Sequence, residues 1–161
     1  MLAALDLRLL RLLRTRWHWP PVERAVQAYA TAGENGALWH AIAALGLALH
    51  RSHRPVYRRA ILVVLLTLIA NTAAKQVVRR ARPVLEEALP PLVPTLSGRS
   101  YPSAHAATSF AAAGALSPAL PARPLYLAAA TMALTRPYLG VHYPSDVVAG
   151  ALLGRALDRL L

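Results

Sequence analysis

The apolar residues of this chain come in blocks whose length predicts helices rather than strands. The clearest block, residues 60–78, contains the run Ile-Leu-Val-Val-Leu-Leu and is long enough to cross a bilayer as a helix. Shorter apolar blocks occupy residues 36–49, 105–117, 125–134 and 147–161. The pattern predicts an all-α protein, a multi-pass transmembrane helical bundle with several short spans.

The first residues follow a different pattern, because leucines alternate with arginines at helical spacing. A leucine stripe and an arginine stripe share residues 2–14, which is typical of an amphipathic helix lying on an anionic membrane surface. A secretory signal is the alternative, although the arginines interrupt the apolar core that such a signal needs. After Pro20-Pro21, residues 22–31 predict a second short helix that is too polar to span. We expect one membrane-embedded domain, 1–161, with interfacial helices at 1–32 and a helical core at 36–161.

Composition adds to this picture mainly through the position of the charges. Hydrophobic residues make up 56% of the chain, and the formal net charge is +11. A basic soluble face would suggest nucleic-acid binding, but these arginines stand at the ends of apolar blocks, as juxtamembrane charges do. We therefore expect a membrane partner and no nucleic acid. The chain has no cysteine, which excludes disulfides and thiolate metal sites.

The polar stretch 135–146 separates the last two apolar blocks and carries three groups with catalytic potential. Pro144 suits the first turn of a helix, which places Asp146 in that turn and His142 just ahead of it. The carboxylate would then lie close to one ring nitrogen and leave the other as a base or nucleophile. Arg136 would hold an anionic substrate with its planar fork of donors. The alternative is a charged loop between two membrane helices.

A second cationic group ends the 60–78 block, in the sequence Lys-Gln-Val-Val-Arg-Arg-Ala-Arg-Pro. Lys75 and Arg82 are seven positions apart, so a continuous helix would project both from one face, with Arg79 between them and Pro83 as the stop. Parallel cations repel one another unless an anion lies among them. Lys75 is also the single lysine among the 18 basic residues. The alternative is an ordinary positive helix end at the membrane surface.

The third group is Tyr-Pro-Ser-Ala-His at the start of the alanine-rich block. Ser103 suits a helix N-cap, where the free backbone N–H groups of the first turn bind an oxyanion. His105, in that turn, would be placed to donate a proton to a departing oxygen. The alternative is an ordinary N-cap beside an exposed histidine.

In order, these groups are Lys-x6-Arg-Pro, Pro-Ser-Ala-His and Thr-Arg-x5-His-x3-Asp. Together they closely resemble the type 2 phosphatidic acid phosphatase family, whose relatives include bacterial lipid phosphatases, glucose-6-phosphatase and the vanadium haloperoxidases. The resemblance covers residues 75–146, about half of the chain. It departs from the usual pattern at Ala104, commonly glycine, and at Thr135, commonly serine. Alanine keeps the backbone N–H, so the change at position 104 affects the loop geometry more than the chemistry. Threonine keeps the hydroxyl, so the change at position 135 has little effect on the expected chemistry.

The resemblance implies a phosphatase without metal or cofactor that works through a phosphohistidine. His142 would attack phosphorus while Asp146 holds its other ring nitrogen. His105 would protonate the leaving oxygen and then activate the hydrolytic water. The phosphate-binding residues would be Lys75, Arg82, Ser103, Ala104 and Arg136.

The expected substrate is an amphiphile, because the motifs lie at the ends of spanning helices. A polyprenyl phosphate or diphosphate, or a polyprenyl-linked sugar phosphate, is the first expectation; phosphatidic acid or phosphatidylglycerol phosphate is the alternative. Other classes that fit the motifs are a vanadium haloperoxidase and a non-catalytic protein that binds lipid headgroups. Arginines cluster in the connections opposite the motifs, which predicts a cell-membrane protein with an extracytoplasmic active site.

Overall fold

The computed structural model describes residues 2–85, 90–95 and 97–161. In this part of the chain the structure is all-α, as predicted, and its extended pairing is limited to one isolated bridge between Ala81 and Arg99. Seven α-helices are present: α1 (Leu2–Thr15), α2 (Pro20–Ala32), α3 (Ala37–Leu49), α4 (Arg54–Val78), α5 (Ala104–Leu116), α6 (Ala122–Tyr138) and α7 (Pro144–Leu160).

Helices α4 and α6 extend furthest beyond their apolar blocks. Helix α4 begins six residues before the block at 60–78, because Pro55 occupies its first turn, where a missing N–H costs nothing. Helix α6 continues past the block at 125–134 and includes Pro137 in its last turn. Arg136 is therefore a helical residue at the end of α6 rather than part of a loop.

The prediction that one continuous helix carries Lys75, Arg79 and Arg82 is wrong. Helix α4 ends at Val78, and Arg79 takes a left-handed conformation with φ of 53°. The chain turns there, so Arg79 is exposed and its Nε donates to the Gln76 carbonyl. The last helical residue, Val78, lies five positions before Pro83. The usual sequence signal for such a cap is glycine or asparagine, and Arg-Arg-Ala-Arg contains neither.

Helix α5 lies at the centre of the bundle and packs against α4, α6 and α7. Its alanine-rich sequence is buried over almost its whole length, because small side chains let the neighbouring helices approach closely. Gly150 of α7 lies against the first turn of α5, where a Cβ would collide with the Ser103 carbonyl oxygen. The Ser103 N–H also donates to the Asp146 carbonyl at 3.0 Å. The first turns of α5 and α7 are thus held side by side.

Helix α1 packs on the bundle through a partly charged face rather than through its leucine stripe. Asp6, Leu10 and Arg14 are buried at four-residue spacing. The leucine stripe faces away from the protein, and its large exposed members are Leu5, Leu9 and Leu12. The interfacial position predicted for this helix stays a prediction, and the exposed leucines agree with it.

One helical segment among the described residues, Arg51–Val78, is long and apolar enough to cross a membrane by length and composition; it consists of α4 and the short 3-10 turn before it. The other helices of the bundle core have 13 to 17 residues, fewer than the roughly 20 that a perpendicular span requires. Crossing by these shorter helices stays a prediction.

Candidate active site

Four helix ends meet at one end of the bundle around a cavity of about 670 Å³. They are the C-terminal ends of α4 and α6 and the N-terminal ends of α5 and α7. Six of the eight predicted site residues line this cavity: Lys75, Arg82, Ala104, His105, Arg136 and His142. Ser103 and Asp146 are fully buried beside these lining residues. The structure therefore brings together three sequence groups that are separated by as many as 71 positions.

His142 is almost completely enclosed, with 3% of its surface exposed. Its Nε2 lies 3.2 Å from Nη1 of Arg82. A guanidinium can only donate, so Nε2 accepts and the ring proton resides on Nδ1. Nδ1 lies 3.5 Å from Oδ2 of Asp146, longer than an ordinary hydrogen bond. This tautomer leaves the basic lone pair at Nε2, beside a cation of the cavity wall.

Asp146 is held mainly by two other groups. Its Oδ2 accepts the Tyr143 N–H at 2.9 Å, which caps the N-terminus of α7, and its Oδ1 accepts Nη1 of Arg80 at 2.8 Å. The expected position of Asp146 in the first turn of α7 is confirmed. Arg80 was missed by sequence reasoning, because the seven-residue spacing on a continuous helix pointed to Arg79 instead.

The surroundings of His142 keep its imidazole neutral. Burial lowers the pKa of His142 to about 4; Asp146 opposes this shift, and Arg82, Arg136 and Lys75 add to it. At neutral pH Nε2 therefore keeps its lone pair, which accepts from Arg82 in this structure and becomes free for attack when a phosphate oxygen takes over that donor. The cost of a positive charge on this ring is also high until an anion enters the cavity.

Main-chain carbonyl groups hold two of the three cations of the cavity. Arg82 donates from Nε to the Ser97 carbonyl and from Nη1 to the Val141 carbonyl, both at 2.7 Å. Lys75 Nζ lies 3.4 Å from the carbonyl oxygens of Arg99 and Ser100. Carbonyl oxygens orient these groups without neutralising them, so both positive charges remain available to an anion.

Arg136, the third cation, is 6% exposed, and its buried Nε has no hydrogen-bond partner among the described atoms. A buried guanidinium donor without a partner is rare in folded proteins and points to a ligand. Three fixed cations in one cavity are suited to a phosphoryl group, whose oxygens carry charge in the ground state and in transfer.

The first turn of α5 supplies neutral donors to the same cavity. Ser103 is the N-cap, but its Oγ makes no capping bond and is buried without a partner. Ala104 is the first helical residue, so its Cβ fits there and glycine is not required. The N–H groups of this turn have no partner within the helix. Thr135, the other departure from the family pattern, uses its hydroxyl on the Met132 carbonyl at 2.7 Å.

His105 is oriented by α2. Its Nε2 lies 3.0 Å from the carbonyl oxygen of Ala30, the buried residue near the end of that helix. The carbonyl fixes the proton on Nε2 in the neutral ring, so Nδ1 is the position that gains and loses a proton. The alternative of an exposed histidine beside an ordinary cap is wrong, because His105 is partly buried and lines the cavity.

Several cavity residues were not expected from the sequence as site residues. Asn71 of α4 donates from Nδ2 to the Pro102 carbonyl at 3.2 Å and so positions the chain ahead of α5. Glu34 and Asn35 come from the turn between α2 and α3, where Asn35 has φ of 50°. The sequence Glu-Asn-Gly predicts a turn. It does not indicate that this turn contributes to the active site, because the first motif of the site begins 41 positions later. Within residues 2–85, 90–95 and 97–161, no cluster of three or more His, Asp or Glu side chains has the arrangement of a metal site.

At one end of the helical bundle, three cations, two imidazoles and a buried carboxylate lie together. This set of groups is typical of a phosphate-ester hydrolase. Residues 56–161 match the PAP2 superfamily. The chain belongs to this superfamily, and it is a membrane phosphatase. The predictions of family, fold class and phosphatase activity are confirmed.

Three similar proteins place the chain within the superfamily. It is 39% identical over 135 residues to the decaprenylphosphoryl-5-phosphoribose phosphatase of Mycolicibacterium smegmatis, an alignment that covers 81% of this chain and 72% of that protein. The crystal structure of LpxE from Aquifex aeolicus superposes on this chain with a TM-score of 0.83 and 26% identity. The superposition covers 97% of this chain and 93% of the LpxE chain. A transmembrane PAP2-type phosphatidylglycerolphosphate phosphatase from Bacillus subtilis shares the fold, with a TM-score of 0.76 over 98% of this chain and 83% of its own at 24% identity.

Proposed function

We propose that the protein hydrolyses the phosphate of a polyprenyl lipid, either a polyprenyl phosphate or diphosphate or a polyprenyl-linked sugar phosphate, through a phosphohistidine at His142. The observation that carries the proposal is the buried Nε2 of His142, whose lone pair lies 3.2 Å from a phosphate-binding cation, Arg82. A neutral nucleophile beside three fixed cations is the arrangement that in-line phosphoryl transfer requires.

In the first step, Nε2 of His142 attacks phosphorus as the bond to the leaving oxygen breaks. Asp146, facing Nδ1–H, stabilises the positive charge that the ring gains. The non-bridging oxygens are bound by cations and neutral donors: Lys75, Arg82, Arg136, the Ser103 hydroxyl and the Ala104 N–H. These donors are fixed before the substrate enters, so little reorganisation accompanies the transfer.

His105 acts on the leaving group and then on water. Its protonated Nδ1 gives a proton to the departing alkoxide, which leaves as the alcohol. The now neutral ring takes a proton from a water molecule as that water attacks phosphorus. The phosphorus–nitrogen bond breaks, inorganic phosphate leaves, and both histidines return to their starting forms. The Ala30 carbonyl keeps Nε2 as the permanent donor throughout.

The polar lining of the cavity supports a hydroxyl-bearing group next to the phosphate. Side chains that exchange hydrogen bonds with hydroxyl groups line the cavity beside the cations: Asn35, Thr72, Gln76, Thr95 and Ser97. A sugar phosphate would use them, and the Mycolicibacterium relative is named for a phosphoribose lipid. Phosphatidic acid or phosphatidylglycerol phosphate is the second candidate, since the same fold occurs in a phosphatidylglycerolphosphate phosphatase.

Phosphate release from a panel of detergent-solubilised lipids tests the proposal. We expect the fastest release from a polyprenyl phosphate, diphosphate or linked sugar phosphate, with glycerolipid phosphates slower. Activity should persist in EDTA, because the cations occupy the role of a metal, and vanadate should inhibit by imitating five-coordinate phosphorus. Complete loss on chelation, with recovery on adding magnesium, would contradict the mechanism; preference for glycerolipids would favour the second candidate.

The rate should depend on pH in a way that identifies a depressed histidine pKa. His142 must be neutral to attack, and burial lowers its pKa to about 4. After correction for the second ionisation of the substrate phosphate, at about 6, kcat/KM should show no acid limb in the ordinary histidine range and should fall on the acid side only as pH approaches the pKa of His142. The alkaline limb belongs to the substrate complex: kcat should fall as His105, protonated beside the bound phosphate, loses its proton. A remaining acid limb at about 6.5, the ordinary histidine value, would contradict this account.

We propose further that the bundle crosses the cell membrane several times and that the cavity opens on the extracytoplasmic side. The end of the bundle opposite the cavity carries seven arginines: Arg51, Arg54, Arg58, Arg59, Arg123, Arg155 and Arg159. Positive charge favours the cytoplasmic side. A fluorescent protein fused after Leu161 should therefore fluoresce in the cytoplasm, whereas a reporter active only outside would reverse the assignment.

The N-terminal helices complete one proposed domain, 1–161, of which 1–32 lie at the membrane interface and 36–161 form the helical core. Contacts of α1 with α6 and α7, and of α2 with α6, support a single unit. The exposed leucine stripe of α1 supports contact with lipid.

A further inference from the structure

Asp6 of α1 is a buried carboxylate that the mechanism above does not use. It is 3% exposed and lies outside residues 56–161, the part that matches the superfamily. Its Oδ1 accepts the N–H of Ser145 at 2.9 Å. Its Oδ2 accepts the Ser145 hydroxyl at 2.5 Å and Nη2 of Arg80 at 2.8 Å. An N-terminal helix thus places a charged group within the first turn of α7.

Arg80 joins Asp6 to the catalytic carboxylate. Its Nη1 donates to Oδ1 of Asp146 at 2.8 Å and to the Ser145 hydroxyl at 2.7 Å, while its Nη2 is occupied by Asp6. The guanidinium also stacks over the Tyr143 ring, 4.0 Å from its centroid. One cation is therefore shared by two buried carboxylates in a fixed arrangement.

The sharing matters because His142 is surrounded by positive charge. The groups that face it are Asp146 of α7, Arg82, Lys75 of α4, Arg136 of α6 and His105 of α5. Among these, Asp146 supplies the negative charge that stabilises a phosphorylated imidazole. If Arg80 paired with Asp146 alone, its charge would cancel that of the carboxylate. Asp6 binds one nitrogen of the guanidinium, Nη2, while Asp146 binds the other. The two carboxylates and the one guanidinium together therefore carry a net negative charge.

We propose that Asp6 is a positioning residue of the active site: it orients Arg80 and keeps the negative charge of Asp146 available to His142. Helix α1 is then part of the catalytic unit as well as a surface helix. The inference rests on the proposed roles of His142 and Asp146. It adds a residue that no motif of the sequence contains.

The Asp6→Asn variant tests the inference, because it removes the charge and keeps the shape. We expect kcat to fall about tenfold or more, the usual effect of losing one charged hydrogen bond, with KM changed by less than about twofold, since Asp6 does not line the cavity. The uncompensated charge of Arg80 should disfavour the protonated ring, so the acid limb of kcat/KM should move to lower pH. Asp6→Glu, which keeps the charge, should recover part of kcat.

Asp158→Asn is the matched control. Asp158 is also a buried carboxylate shared by two arginines, Arg59 and Arg155, but it lies at the opposite end of the bundle. This variant should lower the melting temperature and leave kcat and the pH profile of the folded enzyme unchanged. An Asp158→Asn variant with the same loss of kcat would assign the effect of Asp6 to stability and overturn the inference.

The outcomes separate this inference from the function on which it rests. A wild-type enzyme that forms no phosphoenzyme defeats the proposed mechanism itself. If the wild-type enzyme does form a phosphoenzyme, but Asp6→Asn has the same kcat and the same acid limb as wild type, then only the proposed role of Asp6 is wrong. If Asp6→Asn does not fold, Ser145→Ala replaces it, since that hydroxyl bridges Asp6 and Arg80. It should lower kcat at constant KM, and wild-type kinetics in Ser145→Ala would overturn the inference.

Discussion

Replacing His142 by alanine should abolish hydrolysis of every phosphate ester, with a loss of about 10⁴-fold or more in kcat. Among the described residues, no other imidazole nitrogen lies within hydrogen-bond distance of Arg82, so we expect no substitute nucleophile at that position. Replacing His105 should have an effect that depends on the leaving group. Lipid phosphates, whose alkoxides need a proton, should lose about 10²–10⁴-fold. An aryl phosphate, which leaves without that proton, should still phosphorylate His142.

Rapid-quench kinetics with an aryl and an alkyl phosphate distinguish the two histidines. His105→Ala should give a burst of the aryl alcohol followed by slow turnover, because the water that attacks the phosphoenzyme lacks its base. His142→Ala should give no burst. His53→Ala, a change at an exposed histidine at the start of α4, should behave as wild type. A burst in His142→Ala, or equal losses for both substrates in His105→Ala, would show that the roles are wrongly assigned.

Arg136→Lys should lower kcat/KM by about 10²–10³-fold, the usual effect of removing one donor that acts in the transition state. Lysine keeps the charge but cannot place two parallel donors on a phosphoryl group. The native side chain is fixed in the last turn of α6 and its Nε is buried without a partner. That donor is therefore free to bind an anion in the cavity.

Vanadate inhibition provides a second measure of the same change. Because vanadate takes the geometry of the transferring phosphoryl group, its affinity for Arg136→Lys should fall in parallel with kcat/KM. Arg123→Lys is the matched control, since Arg123 is exposed in the first turn of the same helix. Unchanged vanadate affinity in Arg136→Lys would remove Arg136 from the phosphate site.

The sequence predicted the site best where local rules decide the structure. Pro144 marks the start of α7, and the four-residue interval from His142 to Asp146 then follows from helix geometry. The N-cap position of Ser103 agrees with the preference of serine for that position, although its Oγ makes no capping bond in the structure. The meeting of the three groups in space was implied by the family resemblance and by their positions at the ends of apolar blocks, and the structure agrees.

Features that depend on tertiary packing could not be predicted from these local rules. The left-handed cap at Arg79 has no signal in its own residue type, and it decides that Arg80 rather than Arg79 faces Asp146. The leucine stripe of α1 indicated a membrane surface, while the role of Asp6 depends on Ser145, 139 positions away. Ala30, which orients His105 through its carbonyl, could not be identified from any side-chain pattern.

Chemical trapping of the phosphoenzyme tests the central claim most directly. Wild type and the His105→Ala and His142→Ala variants are incubated with a phosphate ester labelled at phosphorus, quenched, digested and mapped by peptide. The account predicts acid-labile, base-stable phosphate on the peptide that contains His142, in greatest amount in His105→Ala and absent from His142→Ala. Label on another residue, or label trapped in His142→Ala but not in His105→Ala, would contradict it.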